Sequence, residues 1–275
     1  MNAFKKQCIE LRKKDHTLSE IVKITGRPKT SIYFHIRNTP LSRARMDQIK
    51  TAHARIAIGL AAERRGKSAR LYKKFSVWNA PMVCLVSHLL FDGEIKRSGC
   101  IYNNRNIPLL DRVEQCMKTI YEREPKRYLN ALTGVSRISY FNVSLAEYLK
   151  EKSRLLLKEV PGFNKDLQRE FIRSFFDDEG CMDFRPRRNV RQIRGYQKES
   201  SMLFLIQKLL PNFGIQSHVI RNEVVISGKD NLIKFQDGIN FSHGVRINGS
   251  RSNSIWKESL EKRELLARAI ASYKK

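Results

Sequence analysis

The chain is short of acids. Asp and Glu number 27 against 53 Lys and Arg, which leaves a net charge of +26. An excess that large is more than surface solubility needs, and it points to a polyanionic partner, with nucleic acid first. Long apolar runs are missing too. No stretch approaches the 18 apolar residues of a membrane span, and Met1–Lys14 has no apolar segment of the signal-peptide kind. An anionic membrane surface usually calls for an amphipathic basic helix or a lipid signal in addition. The sequence therefore predicts a cytoplasmic, nucleoid-associated protein that does not engage a membrane. Cysteine is sparse and scattered: Cys8, Cys84, Cys100, Cys116 and Cys181 form no C-x-x-C pair. That argues against a zinc site or a disulfide framework. Against these shortages stands a hydrophobic content of 41%, enough for packed cores and against disorder. A length of 275 residues fits one large domain or two to three smaller ones.

The charge is uneven. Residues 1–75 carry 19 Lys and Arg against 5 Asp and Glu, so about half the excess lies in the first quarter. Phe4, Cys8, Ile9 and Leu11 fall at helical spacing. Thr17-Leu18-Ser19-Glu20 has the form of a capping box, and Thr25-Gly26 reads as the end of the short helix that follows. Pro28 then suits the start of a third helix, in which Ile32 and Ile36 share a face. The pattern resembles a helix-turn-helix over residues 1–42, with the third helix as the reader. Lys29, Thr30, Ser31 and Tyr33 would meet base edges, and Arg27 and Arg37 would clamp phosphates. A three-helix bundle with a solvated basic face is the alternative. Residues 43–75 read as a basic helical linker interrupted at Arg64-Arg65-Gly66-Lys67, either following a phosphate backbone or acting as a spacer.

Two related segments follow. Leu85-Val86-Ser87-His88-Leu89-Leu90-Phe91-Asp92-Gly93 and Ile172-Arg173-Ser174-Phe175-Phe176-Asp177-Asp178-Glu179-Gly180 are apolar helical runs ending in acid and glycine, 87 residues apart. The same order of elements follows each one. In the first lobe, residues 76–162, a short hairpin turns at Ser98-Gly99, a helix carries Leu109 to Tyr121, and a second hairpin turns at Leu132-Thr133-Gly134. A helix over 145–160 closes it. In the second lobe, residues 163–275, strands are expected around Met182–Phe184 and over 190–197, then a helix over 202–210. A hairpin about Asn222, a helix over 231–239 and a final amphipathic helix over 254–273 complete it. Each lobe is then an α+β unit of helix, hairpin, helix, hairpin and helix with an antiparallel sheet. Arg185, Arg187, Arg188, Arg191 and Arg194 crowd one hairpin of the second lobe. They read as DNA contacts, or as edge-strand charges that resist aggregation.

From about Ser76 to Lys274 the paired motifs and repeated lobes resemble the LAGLIDADG homing endonucleases in their single-chain, two-motif form. The resemblance implies two pseudo-twofold-related αββαββα lobes whose motif helices pack side by side. Ser87 and Ser174, at position three of the nine-letter motif, would let the helix backbones approach. Position eight holds Asp92 and Glu179, and position nine Gly93 and Gly180. These four would form the metal site for Mg2+ or Mn2+, with the two acids as catalytic ligands. Gln197, and Asn104 or its neighbour Asn103, would position water, although they read equally as strand-end polar residues. Lys229 and Lys198 are candidates for a catalytic lysine. Position seven, usually small in this family, holds Phe91 and Asp178. Phe91 would widen the helix pair or turn into a lobe, and Asp177 and Asp178 would add negative charge beside Glu179.

The function expected from the resemblance is a monomeric, site-specific endonuclease that cuts both strands of an asymmetric DNA target and leaves short 3′ overhangs. The alternatives are a non-cleaving transcription regulator derived from such an enzyme, or a maturase acting on intron RNA. Fold alone does not choose among them.

Overall fold

The computed structural model describes residues 3–64, 74–122, 124–249 and 256–273, in two compact units, one before residue 70 and one after it.

The first unit is all helical: α1 (Ala3–Lys13), α2 (Leu18–Thr25), α3 (Lys29–Ile36) and α4 (Arg43–Arg64). Thr17 and Glu20 close a reciprocal capping box at the start of α2. The Glu20 amide donates to the Thr17 hydroxyl at 3.3 Å, and the Thr17 amide donates to the Glu20 carboxylate at 2.6 Å. Gly26, at φ 63°, ends α2 in the left-handed conformation that glycine adopts without strain. Cys8, Ile21, Ile32 and Ile36 form the small core, with Phe4, Leu11, Leu18 and Val22 packed on it. Asp15 accepts from both the amide and the hydroxyl of Ser42, and Arg45 pairs with Glu20, so the start of α4 is fastened to the three-helix core. Of the expected linker, residues 43–64 form one continuous helix. The Arg65-Gly66-Lys67 portion of its expected interruption lies outside the described residues.

The second unit holds two four-stranded antiparallel sheets built on one plan. The first lobe runs α5 (Ala80–Phe91), β1 (Gly93–Lys96), β2 (Gly99–Asn104), α6 (Ile107–Tyr121), β3 (Lys126–Asn130), β4 (Val135–Tyr140) and α7 (Val143–Glu159). The second runs α8 (Lys165–Glu179), β5 (Gly180–Arg185), β6 (Val190–Tyr196), α9 (Ser200–Leu209), β7 (His218–Ile220), β8 (Glu223–Ser227), α10 (Lys229–Gly238) and α11 (Lys262–Ala271). The sheet orders are β1-β2-β4-β3 and β5-β6-β8-β7, so the two lobes share one topology. On one face of each sheet the alternate residues are apolar and buried, Tyr102 and Ile138 in the first lobe and Met182, Ile193 and Ile226 in the second. A single core joins both lobes through α5 and α8, where Phe91, Phe171, Phe175 and Phe176 are buried.

The expected final helix over 254–273 is shorter than its periodicity suggests. Its described residues before Lys262 are not helical, and the last of them pair with 245–247. The Ile247 amide donates to the Leu260 carbonyl, the Lys262 amide donates to the Val245 carbonyl, and Arg246 bridges Glu261. Pairing with 245–247 takes the backbone hydrogen bonds that a longer helix would have used. The second lobe therefore carries one more helix than the first, and Lys262 begins it.

Candidate functional site

The two motif helices begin with matched caps. Asn79 and Asn164 accept from the amides of Met82 and Leu167, satisfying donors that a helix start leaves unpaired. The helices turn directly into β1 and β5 at Gly93 and Gly180. A Cβ at Gly93 would lie 2.5 Å from the Leu89 Cα, and one at Gly180 2.5 Å from the Phe176 carbonyl oxygen. Only glycine lets each strand fold back this closely on its helix. Ser87 and Ser174 are both buried on these helices, and Ser174 returns its hydroxyl proton to the Glu170 carbonyl at 2.8 Å. The small side chains suit close helix approach.

Asp92 and Glu179 therefore stand at equivalent places, each between a motif helix and its first strand. The Asp92 carboxyl is pushed up to about 7, by burial first and then by the negative charges of Asp178 and Glu179. Glu179 is also pushed up to about 7, by burial and then by Asp178, with Lys262 acting in the opposite direction. Two acids that resist losing their protons beside each other form a site that a cation would relieve. Both offer hard oxygen donors, which suit Mg2+ or Mn2+. Among the described residues no group of three or more His, Cys, Asp and Glu stands ready to enclose a metal. Asp92 and Glu179 are the residues that would hold such a cation, and they would leave most of its shell to water.

Asn104 lies beside Asp92. Its Nδ2 donates to the Asp92 Oδ2 at 3.0 Å and to the Tyr102 hydroxyl at 3.1 Å. The sheet registers explain the choice between neighbours. Gly93 pairs with Tyr102 and Gly180 with Gly195, so Asn104 and Gln197 both lie two residues beyond the partner of a motif glycine. Asn103 points to the opposite face, where it accepts from Arg137. Gln197 occupies the equivalent place in the second lobe, but its Oε1 accepts from the Lys198 amide at 2.8 Å.

Three residues at positions six and seven of the motifs are embedded in the packed unit. Asp178 adds the expected negative charge beside Glu179, and it is also held in place. Its side chain is fully buried, its Oδ2 meets His88 Nδ1 at 2.8 Å, and its Oδ1 accepts from the Tyr102 hydroxyl at 2.6 Å. Burial alone would lower the His88 pKa, but the Asp178 charge raises it well above the ordinary range. Phe91 turns into the helix seam, with its ring centroid 5.5 Å from Phe171 and 5.3 Å from Phe175. Asp177 is also buried, and its Oδ1 accepts from the Ser242 amide at 2.8 Å.

The lysine at this site is Lys262, which sequence reasoning missed. Its Nζ donates to the carbonyls of Phe176, Asp177 and Gly180 at 3.1, 2.7 and 2.6 Å, and only 5% of the residue is exposed. A cation there opposes the negative end of the α8 dipole and satisfies carbonyls that a helix end leaves free. It also engages the Gly180 carbonyl, so Gly180 acts as a turn and an anchor for Lys262 rather than as an open metal ligand. Lys229 starts α10 and Lys198 follows β6.

The expected DNA contacts divide. On α3, Lys29, Thr30, Ser31, Tyr33 and Arg37 are all exposed. Phe34, which no sequence signal singled out, is 64% exposed, with the Arg37 guanidinium 4.8 Å from its ring. In the second lobe, Arg187 and Arg188 are exposed in the turn between β5 and β6. Arg185 pairs with Asp183, and Arg194 with Asp183 and Glu223, so their charge is largely balanced within the sheet. Arg191 faces the other way. It donates to Ser272 and lies 4.8 Å from the Tyr273 ring, because its place in β6 shares a face with the buried Phe184. It fastens the C-terminal helix rather than a duplex.

Residues 166–240 match the family model described as a LAGLIDADG-like domain. Full-length DUF199/WhiA from Thermatoga maritima superposes with a TM-score of 0.50 at 15% identity, over 74% of this chain and 63% of that one. I-DmoI in complex with DNA and Mn superposes with a TM-score of 0.45 at 18% identity, over 60% of this chain and 98% of that one. The N-terminal LAGLIDADG domain of DUF199/WhiA gives a TM-score of 0.45 at 16% identity, over 62% and 88% of the two chains. No curated protein matches the sequence.

Proposed function

We propose that this LAGLIDADG protein is a site-specific, divalent-metal-dependent endonuclease acting on double-stranded DNA. The observation that carries the reading is the equivalent placement of Asp92 and Glu179. They end two paired helices at equivalent positions, and burial with neighbouring negative charge raises the proton affinity of each, which a cation would relieve. A chain of net charge +26 supplies the attraction for a polyanion.

Asp92 and Glu179 would hold a divalent cation between them and the scissile phosphates, and such a cation supplies charge stabilisation and an acidified water. The residues of the chain do the rest. Asn104 fixes the Asp92 carboxylate and leaves its second oxygen open. Lys262 fixes the end of α8, and with it the approach of Glu179. The two acids serve one strand each, and the non-identical lobes imply an asymmetric target with short 3′ overhangs. Lys29, Thr30, Ser31, Tyr33 and Arg37 on α3 would add duplex contacts outside the cleavage site.

Cleavage of a plasmid library of randomised sites in Mg2+ tests the reading. Recovered sites should share one asymmetric sequence, and Asp92→Asn with Glu179→Gln should abolish cutting. A non-cleaving DNA-binding regulator is the second reading. The internal pairing of Arg185 and Arg194 and the engagement of the Gly180 carbonyl by Lys262 favour it. Specific duplex binding with no cutting in Mg2+ or Mn2+ would establish it in place of the first.

A further inference from the structure

The two acids are supported by different means. Beside Asp92, Asn104 is held at both ends of its amide. Its Oδ1 accepts from the Asn106 amide at 2.8 Å, and its Nδ2 faces Asp92 and the Tyr102 oxygen. The Tyr102 hydroxyl has a single proton, and Asp178 takes it at 2.6 Å. The tyrosine oxygen must therefore accept from Asn104. The hydrogen bonds thus diverge from Asn104, one directly to Asp92 and one through Tyr102 to Asp178 of the opposite lobe.

Among the described residues, the second lobe shows no such arrangement. At the register place of Tyr102 it has Gly195, where a Cβ would lie 2.3 Å from the Phe175 ring. Motif position four holds His88 in one lobe and Phe175 in the other, and position seven holds Phe91 and Asp178. Across the pseudo-twofold axis, a polar set of Asp178, His88 and Tyr102 thus replaces an apolar set of Phe91, Phe175 and Gly195. Glu179 depends instead on the grip of Lys262 on α8.

We propose that Tyr102 and Asp178 are positioning residues for Asp92, so that the second lobe sets the geometry of the first lobe's acid and the two strand cuts can be uncoupled. This rests on the endonuclease reading. Small displacements of a positioned group are costly, on the order of 100-fold for about 1 Å. Removing the Tyr102 hydroxyl takes one of the two acceptors from the Asn104 Nδ2 and frees the amide to turn from Asp92.

The test compares wild type, Tyr102→Phe and Asp92→Asn as full-length proteins. On a supercoiled plasmid carrying a selected target, Tyr102→Phe should slow the strand that Asp92→Asn slows, by about 10- to 100-fold. The other strand should stay within about twofold, so nicked circles accumulate. Equal slowing of both strands, or of neither, overturns the proposal while leaving the endonuclease intact. Mn2+ alone, titrated by electron paramagnetic resonance, gives the second measurement. Tyr102→Phe should weaken binding in the same direction as Asp92→Asn, at unchanged thermal midpoint within a few degrees. If wild type cuts no DNA, the endonuclease reading fails, and unchanged Mn2+ binding in Tyr102→Phe then overturns the positioning role separately.

Discussion

The Asp178 carboxylate, carried by the second motif helix, accepts the hydroxyl of Tyr102 from the sheet of the other lobe at 2.6 Å. That one bond ties together the residue that departs most from the motif pattern and the strand that faces the site. Its partner His88 completes a buried ion pair.

Replacing one member of that pair leaves the other buried without a counterion. Asp178→Leu should destabilise the second unit by about 3–5 kcal/mol, measured by urea unfolding. The double change Asp178→Leu with His88→Leu should recover a large part of the loss. A double variant no better than the single one would mean the pair contributes little.

The raised pKa values of Asp92 and Glu179 predict a pH dependence. A carboxyl whose folded pKa is raised binds its proton more tightly in the native state. Its stabilisation is complete below the unfolded carboxyl range and is lost as pH rises toward about 7. His88, also raised, acts in the same direction: its share is complete below the ordinary histidine range and is lost at higher pH. The thermal midpoint of metal-free protein should therefore fall between pH 5 and pH 8. Asp92→Asn with Glu179→Gln should flatten the acidic part of that slope. Mg2+ should raise the midpoint more at pH 8 than at pH 6, because protons no longer compete for the acids.

Lys262→Met should strip the hydrogen-bond donor from three carbonyls at the end of α8. A loss of about 2–3 kcal/mol is expected from unsatisfied buried acceptors. The first measurement is guanidinium unfolding, and the second is proteolysis, which should nick the non-helical residues before α11 sooner than in wild type. Unchanged unfolding and unchanged proteolysis would show that water replaces the ammonium group without cost.

On the first unit, Lys29→Ala and Arg37→Ala should each weaken duplex binding across all sequences. Each should reduce the salt slope of log K by about 1 if its side chain meets a phosphate. Thr30→Ala should instead alter sequence preference. The assay is a salt series of fluorescence-anisotropy titrations, and unchanged slopes would remove α3 from the interface.

Much of this was legible in the sequence because the signals were local. The acid-glycine pairs, the capping box at Thr17 and the hairpin turns each depend on residues a few places apart. The family resemblance suggested Gln197 and either Asn104 or Asn103, and the sheet register separates the two neighbours. What escaped depended on distant residues. Nothing near Lys262 in the chain says that its ammonium will reach the carbonyls of α8, because that reach is set by the extended pairing of 245–247 with 260–262. Arg191 looked like its neighbouring arginines until strand alternation turned it to the other face. Asp178 and Phe91 looked like defects because each finds its partner in the opposite lobe.

Gly195 and Tyr102 also bear on inheritance. A protein of two like halves could have descended from a single half that met its own copy. Here a lone second half facing itself would bury Asp178 against Phe175 and Gly195, with neither hydroxyl nor imidazole to receive it. A lone first half would set Phe91 against His88. With three paired positions diverged, a recombination event that separated the halves should leave neither with a self-compatible partner.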